Sequence, residues 1–331
     1  MTDRALAIAG FLADAGWQAA EQVALRADFS PRRFARLTRG DGRRAVLMDA
    51  DADQHTESFV AVAGLLRGLG IRAPEIYAAD ADAGAGLVLM EDFGDACMGK
   101  MLDAGADPAP LYRGAVDVLI RLHRDFPPQM AAGYDLPVYS GALFAAQAEL
   151  FLDVYVPFAR KRAATFEESE GFRAAWKEVL KGVEGWPQSL MLRDFMPDNM
   201  MLLSGGVPGL LDFQDAGLGP APYDLASLCE MVRRDRGASM LDEMIDYYHA
   251  QIPAPLSKSD LRRACLILAA QRHTRILGIV ANWVAKNGGG AKAGYLTRVR
   301  LYLEGLLQDE ALRPVRLWMQ RFDTPLRDTG T

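Results

Sequence analysis

LRDFMPDN, from Leu192 to Asn199, and LDFQD, from Leu211 to Asp215, are the stretches that decide how this chain folds. Asp194 and Asn199 stand five positions apart, and Asp212 follows Asn199 by thirteen. Between them, Met200 to Leu203 reads as a buried strand, Ser204-Gly205-Gly206 as a turn, and Val207 to Leu211 as the returning strand. A hairpin of that length carries Asn199 and Asp212 to the same end. Asp and Asn also end helices and make turns, and short motifs arise by accident, so the strand-turn-strand context is what gives the spacing weight.

The side chains so gathered suit phosphoryl transfer. A hydroxyl nucleophile needs a carboxylate to orient it and take its proton, which is the part expected of Asp194. Two magnesium ions holding a nucleotide's phosphates need hard oxygen ligands, and the amide oxygen of Asn199 and the carboxylate of Asp212 supply them. Protein kinases have this order, an Asp followed five positions later by an Asn and then, across a hairpin, an Asp-Phe pair, here Asp212-Phe213.

Two other stretches imitate phosphate chemistry. His123-Arg124-Asp125 spells the kinase tripeptide, but five residues past Asp125 stands Met130, which is no magnesium ligand. The tripeptide also ends an amphipathic helix expected from about Leu111 to Arg124 and closed by Pro127 and Pro128. Gly94 to Met101, GDACMGKM, is one residue from a P-loop, yet Met101 stands where a hydroxyl must hold magnesium.

Composition narrows the classes. A chain of 331 residues, half of them hydrophobic, can bury a substantial core in two modest domains or one bilobed one. The net charge of -6 and the lack of a long basic run argue against a nucleic-acid partner. Cys97, Cys229 and Cys265 lack metal-site spacing and fit reduced thiols of a cytoplasmic protein, and four histidines without ligand pairing argue against zinc. The first helix, about Asp3 to Ala15, has no export signature, and no uninterrupted apolar run reaches bilayer-spanning length, so no membrane association is expected.

From Val23 to Asp92 the pattern is a small antiparallel sheet with one helix. Phe34 to Thr38 and Arg44 to Asp49 flank Asp41-Gly42, a hairpin signal, and a helix follows from about Gln54 to Leu69, ended by Gly70. Glu75 to Ala79 and Leu87 to Met90 complete the sheet. Gly, Asp, Ala and Pro then mark a linker to about Pro110, beyond which the chain is mainly helical: Ala142 to Lys161, Ser227 to Gln251, Asp260 to Lys286, Tyr295 to Leu307 and Pro314 to Gln320.

On these residues the sequence resembles the aminoglycoside phosphotransferase-like kinases. It is most similar within them to the anomeric amino-sugar kinases of cell-wall recycling, which phosphorylate N-acetylmuramate and N-acetylglucosamine. The matching stretches run from ADFSPRRFARL (Ala27 to Leu37) and VLMDA (Val46 to Ala50) through LRDFMPDN and LDFQDAGLGPAPYDLASL (Leu211 to Leu228) to QRHTRILGIVA (Gln271 to Ala281) and KAGYL (Lys292 to Leu296). The resemblance implies an α+β, bilobed protein-kinase-like fold: a small antiparallel-sheet nucleotide-binding lobe over 1–92 and a mainly helical lobe over 93–331 with the catalytic loop. It implies a monomeric cytoplasmic sugar kinase using ATP and Mg2+, with Asp194 as base and Asn199 and Asp212 as metal ligands. Asp224 would brace the catalytic loop, although a helix N-cap explains it equally. Ser30, Arg32 and Arg33 would meet the phosphates, and Met90, Glu91 and Phe93 the adenine. Sugar contacts are expected from Gln214, Asp215, Arg272, His273, Glu149 and Asp153, although a histidine on an apolar helix such as His273 is more often a satisfied core residue.

Departures from the family pattern leave alternatives open. Met48 stands where kinases place the phosphate-binding lysine, and Leu192 stands for the usual histidine. An arginine such as Arg33 or Arg44 is the expected substitute for the lysine. A relative acting on an aminoglycoside or another small alcohol, and a catalytically inactive nucleotide- or sugar-binding module, are the competing readings.

Overall fold

A computed structural model of the chain describes residues 3–25, 32–51, 55–80, 86–131, 133–230, 233–234, 239–252, 255–288 and 293–322. Helix α1 (Asp3–Asp14) precedes β1 (Glu21–Leu25), β2 (Arg33–Thr38) and β3 (Arg44–Asp49), then α2 (Thr56–Gly68), β4 (Ile76–Asp80) and β5 (Leu87–Glu91). The five strands form one antiparallel sheet in the order β1-β2-β3-β5-β4. Asp41 sets the β2-β3 register from the turn: its carboxylate accepts from the Arg43 N–H at 3.0 Å, while Gly42 takes φ +83°, a conformation glycine adopts without steric cost. Phe59, Val62, Ala63, Leu65 and Leu66 of α2 are buried, as their spacing requires, and Gly70 ends the helix at φ +68°.

The segment read as a linker contains a helix, α3 (Met98–Asp103), before α4 (Pro108–Asp125). Asp107 caps α4 by accepting from the Ala109 N–H at 3.1 Å, with Pro108 in the first turn. Next come α5 (Gly141–Ala148), a π-helical stretch over Phe151–Tyr155, α6 (Val156–Arg160), α7 (Phe166–Val179) and β6 (Gln188–Met191). The expected hairpin is present as β7 (Met200–Leu202) and β8 (Pro208–Leu210), followed by β9 (Gly217–Pro220), α8 (Pro222–Cys229), α9 (Met240–Gln251), α10 (Lys258–Asn287), α11 (Ala293–Leu306) and α12 (Arg313–Arg321). The single helix expected over Ser227 to Gln251 is therefore two, because α8 starts five residues earlier at Pro222 and stops at Cys229.

The chain packs as two compact units. One comprises 1–136 with 192–216, and the other 137–191 with 217–331. The catalytic stretches thus pack with the five-stranded sheet, α3 and α4, so these units follow a different division from the lobes 1–92 and 93–331 expected from the sequence. In the second unit β6 pairs with β9, and α10 packs on α8 and α11. Among the described residues two helical stretches, 141–160 and 258–287, are long and apolar enough to cross a membrane by length and composition, although charged residues such as Asp153 and Arg272 interrupt both. For α10 packing accounts for the composition: most of its apolar window is buried inside the second unit.

Glu168 organises the second unit's α7. Its carboxylate accepts from Arg160 at 2.6 Å, from Arg162 at 2.7 Å and from the Thr165 N–H at 2.7 Å, closing a capping box. Its backbone carbonyl takes the indole N–H of Trp318, whose ring packs edge-on against Phe172 at 5.0 Å. The Arg162 guanidinium, with Thr165 and Arg160, holds the Glu168 carboxyl well below its ordinary range against the opposing effect of burial. Glu168→Ala should cost about 3 kcal/mol, since it removes the buried carboxylate that pairs with the partly buried Arg160. Because the folded carboxyl lies below the unfolded value of about 4.3, its stabilisation is present above that pH and is lost as pH falls. Thermal melts of the two proteins should accordingly differ at pH 7 and converge in acid; a constant difference would show that packing, and not charge, is lost.

Candidate active site

The catalytic segment is built on strained backbone. Arg193 sits at φ +67° while the Asp194 N–H donates to the Leu192 carbonyl at 2.8 Å, a three-residue turn of the rare positive-φ kind. Leu192 and Phe195 on either side are almost fully buried and pin the turn in place. Pro197 starts a short 3-10 turn to Asn199, whose N–H bonds to the Met196 carbonyl at 2.9 Å. Across the hairpin the Leu211 N–H donates to the Asn199 carbonyl at 2.9 Å, and Asp212 adopts φ +59°. Two non-glycine residues in the left-handed region within one site are costly, and such strain collects where function needs it.

The three expected side chains do converge. The Asn199 amide donates to the Asp194 carbonyl at 2.9 Å and lies 3.3 Å from the Asp212 carboxylate. Asp194, Asn199 and Asp212 line one hollow with Leu192, Phe195, Met196, Leu211 and Phe213. Phe213 is buried and stacks on Phe59 of α2, with centroids 4.8 Å apart and planes 5° off parallel, so the helix fixes the segment after β8 that bears Asp212. Burial, and next the Asp194 carboxylate, push the Asp212 carboxyl above its ordinary range, while Gln214 and Arg32 pull it down. Carboxylates crowded in this way gain from a cation.

The donor set fits magnesium bound to a nucleotide. Magnesium takes one or two protein oxygens and completes its shell with water and phosphate. Asn199 turns its Nδ2 to the Asp194 carbonyl and the Asp212 carboxylate, so its Oδ1 is the atom suited to a metal. Among the described residues no group of three His, Cys, Asp or Glu side chains could hold a metal by itself.

The other expected site residues divide by unit. Arg32 is buried and donates to Gln214 Oε1 at 2.8 Å, with Asp212 3.5 Å away; Gln214 in turn donates to Asp212 at 3.0 Å. Arg33 is turned to Asp49 at 2.7 Å, and Asp215 is half-buried. Met90 is buried in β5, Glu91 takes Arg72 at 2.6 Å, and the same guanidinium lies over the Phe93 ring at 5.5 Å. Ser30 lies outside the described residues. In the second unit, Glu149 pairs with Arg173 at 2.8 Å, and Asp153 is exposed. Arg272 and His273 are buried in α10, with His273 3.7 Å from Glu230. Asp224 is fully buried in the first turn of α8, whose N-cap position is Ala221, so the N-cap reading is excluded by register. The interaction that sequence reasoning missed is the one between Arg32 and Gln214. The only signal was the run Arg32-Arg33, two like residues whose destinations composition does not distinguish.

The model of a phosphotransferase enzyme family, APH, matches residues 21–261. An N-acetylmuramate/N-acetylglucosamine kinase of Pseudomonas aeruginosa is 34% identical, over 86% of this chain and 83% of its own length. One of the same name from Caulobacter vibrioides is 27% identical over 97% of both. Among solved structures, an ADP-bound aminoglycoside phosphotransferase superposes with a TM-score of 0.60 at 14% identity, covering 91% of this chain and 96% of the other, which is a likeness of fold. That protein-kinase-like fold accounts for the five-stranded antiparallel sheet and the mainly helical remainder.

Proposed function

Since this chain belongs to the phosphotransferase enzyme family, we propose that it transfers the γ-phosphate of ATP to the anomeric hydroxyl of N-acetylmuramate or N-acetylglucosamine in the cytoplasm. The observation that carries the reading is the convergence of Asp194, Asn199 and Asp212 on one hollow in a chain 34% identical to a kinase of that name. Three free thiols, Cys97, Cys229 and Cys265, agree with a reducing compartment.

In this mechanism Asp194 orients the acceptor hydroxyl and takes its proton. An anomeric hydroxyl is more acidic than an ordinary alcohol, so a carboxylate of modest basicity suffices. Asn199 and Asp212 would hold magnesium, which when bound neutralises the charge on the transferred group. The hydrogen bond from Asn199 to the Asp194 carbonyl ties the base and the metal ligand into one rigid loop, which keeps the attack in line. The acceptor oxygen gains phosphorus, the bridging oxygen leaves with ADP, and no phosphoenzyme is required.

Incubation with ATP, Mg2+ and each amino sugar should give a product whose phosphorus couples to the anomeric proton in the NMR spectrum. Turnover of an aminoglycoside or choline with neither amino sugar accepted would overturn the substrate assignment. Absence of any magnesium-dependent ATP consumption would overturn the catalytic one.

A further inference from the structure

The sheet that should deliver a cation to the phosphates does not do so from the usual strand. Met48 is buried in β3, between Phe34 of β2 and Val88 of β5. The expected substitutes are occupied within their own sheet. Arg33 pairs with Asp49, which also takes Arg4, and Arg44 reaches Asp92 at 3.6 Å. Arg36 is held by Asp92 at 2.8 Å and Asp95 at 2.9 Å, Arg43 by Asp41 at 2.7 Å, and Arg39 lies over the Trp17 ring. Of the arginines from Arg32 to Arg44, Arg32 is the one whose described contacts reach the catalytic segment.

Its contact there has a particular form. Gln214 is buried and bifunctional: its Oε1 accepts from Arg32 while its Nε2 donates to Asp212 Oδ1. The guanidinium also stands 3.5 Å from that same oxygen, and Asn199 covers Oδ2 at 3.3 Å. Protein N–H groups therefore surround the carboxylate that a metal would bind. An arginine that donates at 2.8 Å to a neutral amide oxygen gains by exchanging it for a phosphate oxygen, because charge-assisted bonds are about twice as strong as neutral ones.

We propose that Arg32 is the phosphate-binding cation that replaces the missing lysine, and that Gln214 stores it against Asp212 until a magnesium nucleotide arrives. Resting on the reading of Asp212 as a metal ligand, the exchange is balanced in charge: the metal takes over at Asp212 as the guanidinium turns to the phosphates. Gln214, assigned above to the sugar, then acts as a positioning residue for the nucleotide.

The test is titration calorimetry of the full chain with Mg-ADP and with adenosine, which lacks the phosphates. Arg32→Ala should weaken Mg-ADP about tenfold or more, the loss of a charge-assisted bond, while adenosine binds as in the unaltered protein. Arg32→Lys should recover part of the ADP affinity, since it restores charge without the fork. Arg43→Ala, on the exposed hairpin, should bind both ligands normally. The inference is overturned if Arg32→Ala binds Mg-ADP normally, or if ADP and adenosine weaken equally, which would mean general disruption of the fold. If the unaltered protein fails to bind Mg-ADP, the functional reading itself fails, and that outcome is separate.

Discussion

Asp194→Asn should lower the rate of phosphate transfer by about a thousandfold or more, within the range that a positioned general base contributes, while Mg-ADP affinity stays within about twofold of the unaltered protein. The asymmetry follows from what the side chain touches. The Asp194 carbonyl, not its carboxylate, holds Asn199, so exchanging the carboxylate for an amide leaves that tie in place. The turn around Arg193 uses the Asp194 N–H, which the substitution also keeps. Single-turnover kinetics separate the chemical step from binding. A rate near that of the unaltered protein would remove Asp194 as the base, and an equal loss of ADP affinity would give it a structural role instead.

Asp212→Asn is expected to act on binding. Residues that merely orient a metal ligand cost about 10- to 100-fold in metal affinity when changed, so losing the ligand itself should reach about a hundredfold or more for Mg-ADP. Metal-free ADP should bind the variant as well as the unaltered protein, because the lost interaction is with the cation. The stability change should have the opposite sign. Burial and the Asp194 carboxylate hold the Asp212 carboxyl above its ordinary range, so its ionised form costs stability at neutral pH, and the neutral amide removes that cost. The variant without nucleotide should melt no lower than the unaltered protein. A lower melting point with normal Mg-ADP affinity would show that Asp212 serves the fold and not the metal.

The parts legible in sequence were those set by local chemistry. Ser204-Gly205-Gly206 and Asp41-Gly42 announce turns, the first between apolar runs and the second between alternating strands, so both hairpins and the meeting of Asn199 with Asp212 could be placed from residue types alone. Phe213 was visible as the partner of Asp212, but its stacking on Phe59 was not, because nothing in either segment specifies the other. The linker reading failed at α3, whose six residues, MGKMLD, are too few to show a helical period. The break between α8 and α9 did have a signal, the run Arg233-Arg234-Asp235-Arg236-Gly237 that interrupts the apolar spacing, and the reading passed over it. Arg32 and Arg33 show the limit most clearly. Neighbouring residues at a strand's start point to opposite faces, so one reaches Gln214 and the other Asp49, although composition cannot rank them.

The division into 1–136 with 192–216 has a consequence for how the protein is made. A ribosome releases the whole sheet, α3 and α4 long before it releases β8, whose Leu210 N–H bonds to the Arg72 carbonyl. The early-synthesised unit must therefore wait, unfinished, for a hairpin that emerges only after residues 137–191, which belong to the second unit. Nascent chains arrested before Ala216 should expose apolar surface to chaperones, and no fragment ending within the first 136 residues can carry the catalytic constellation.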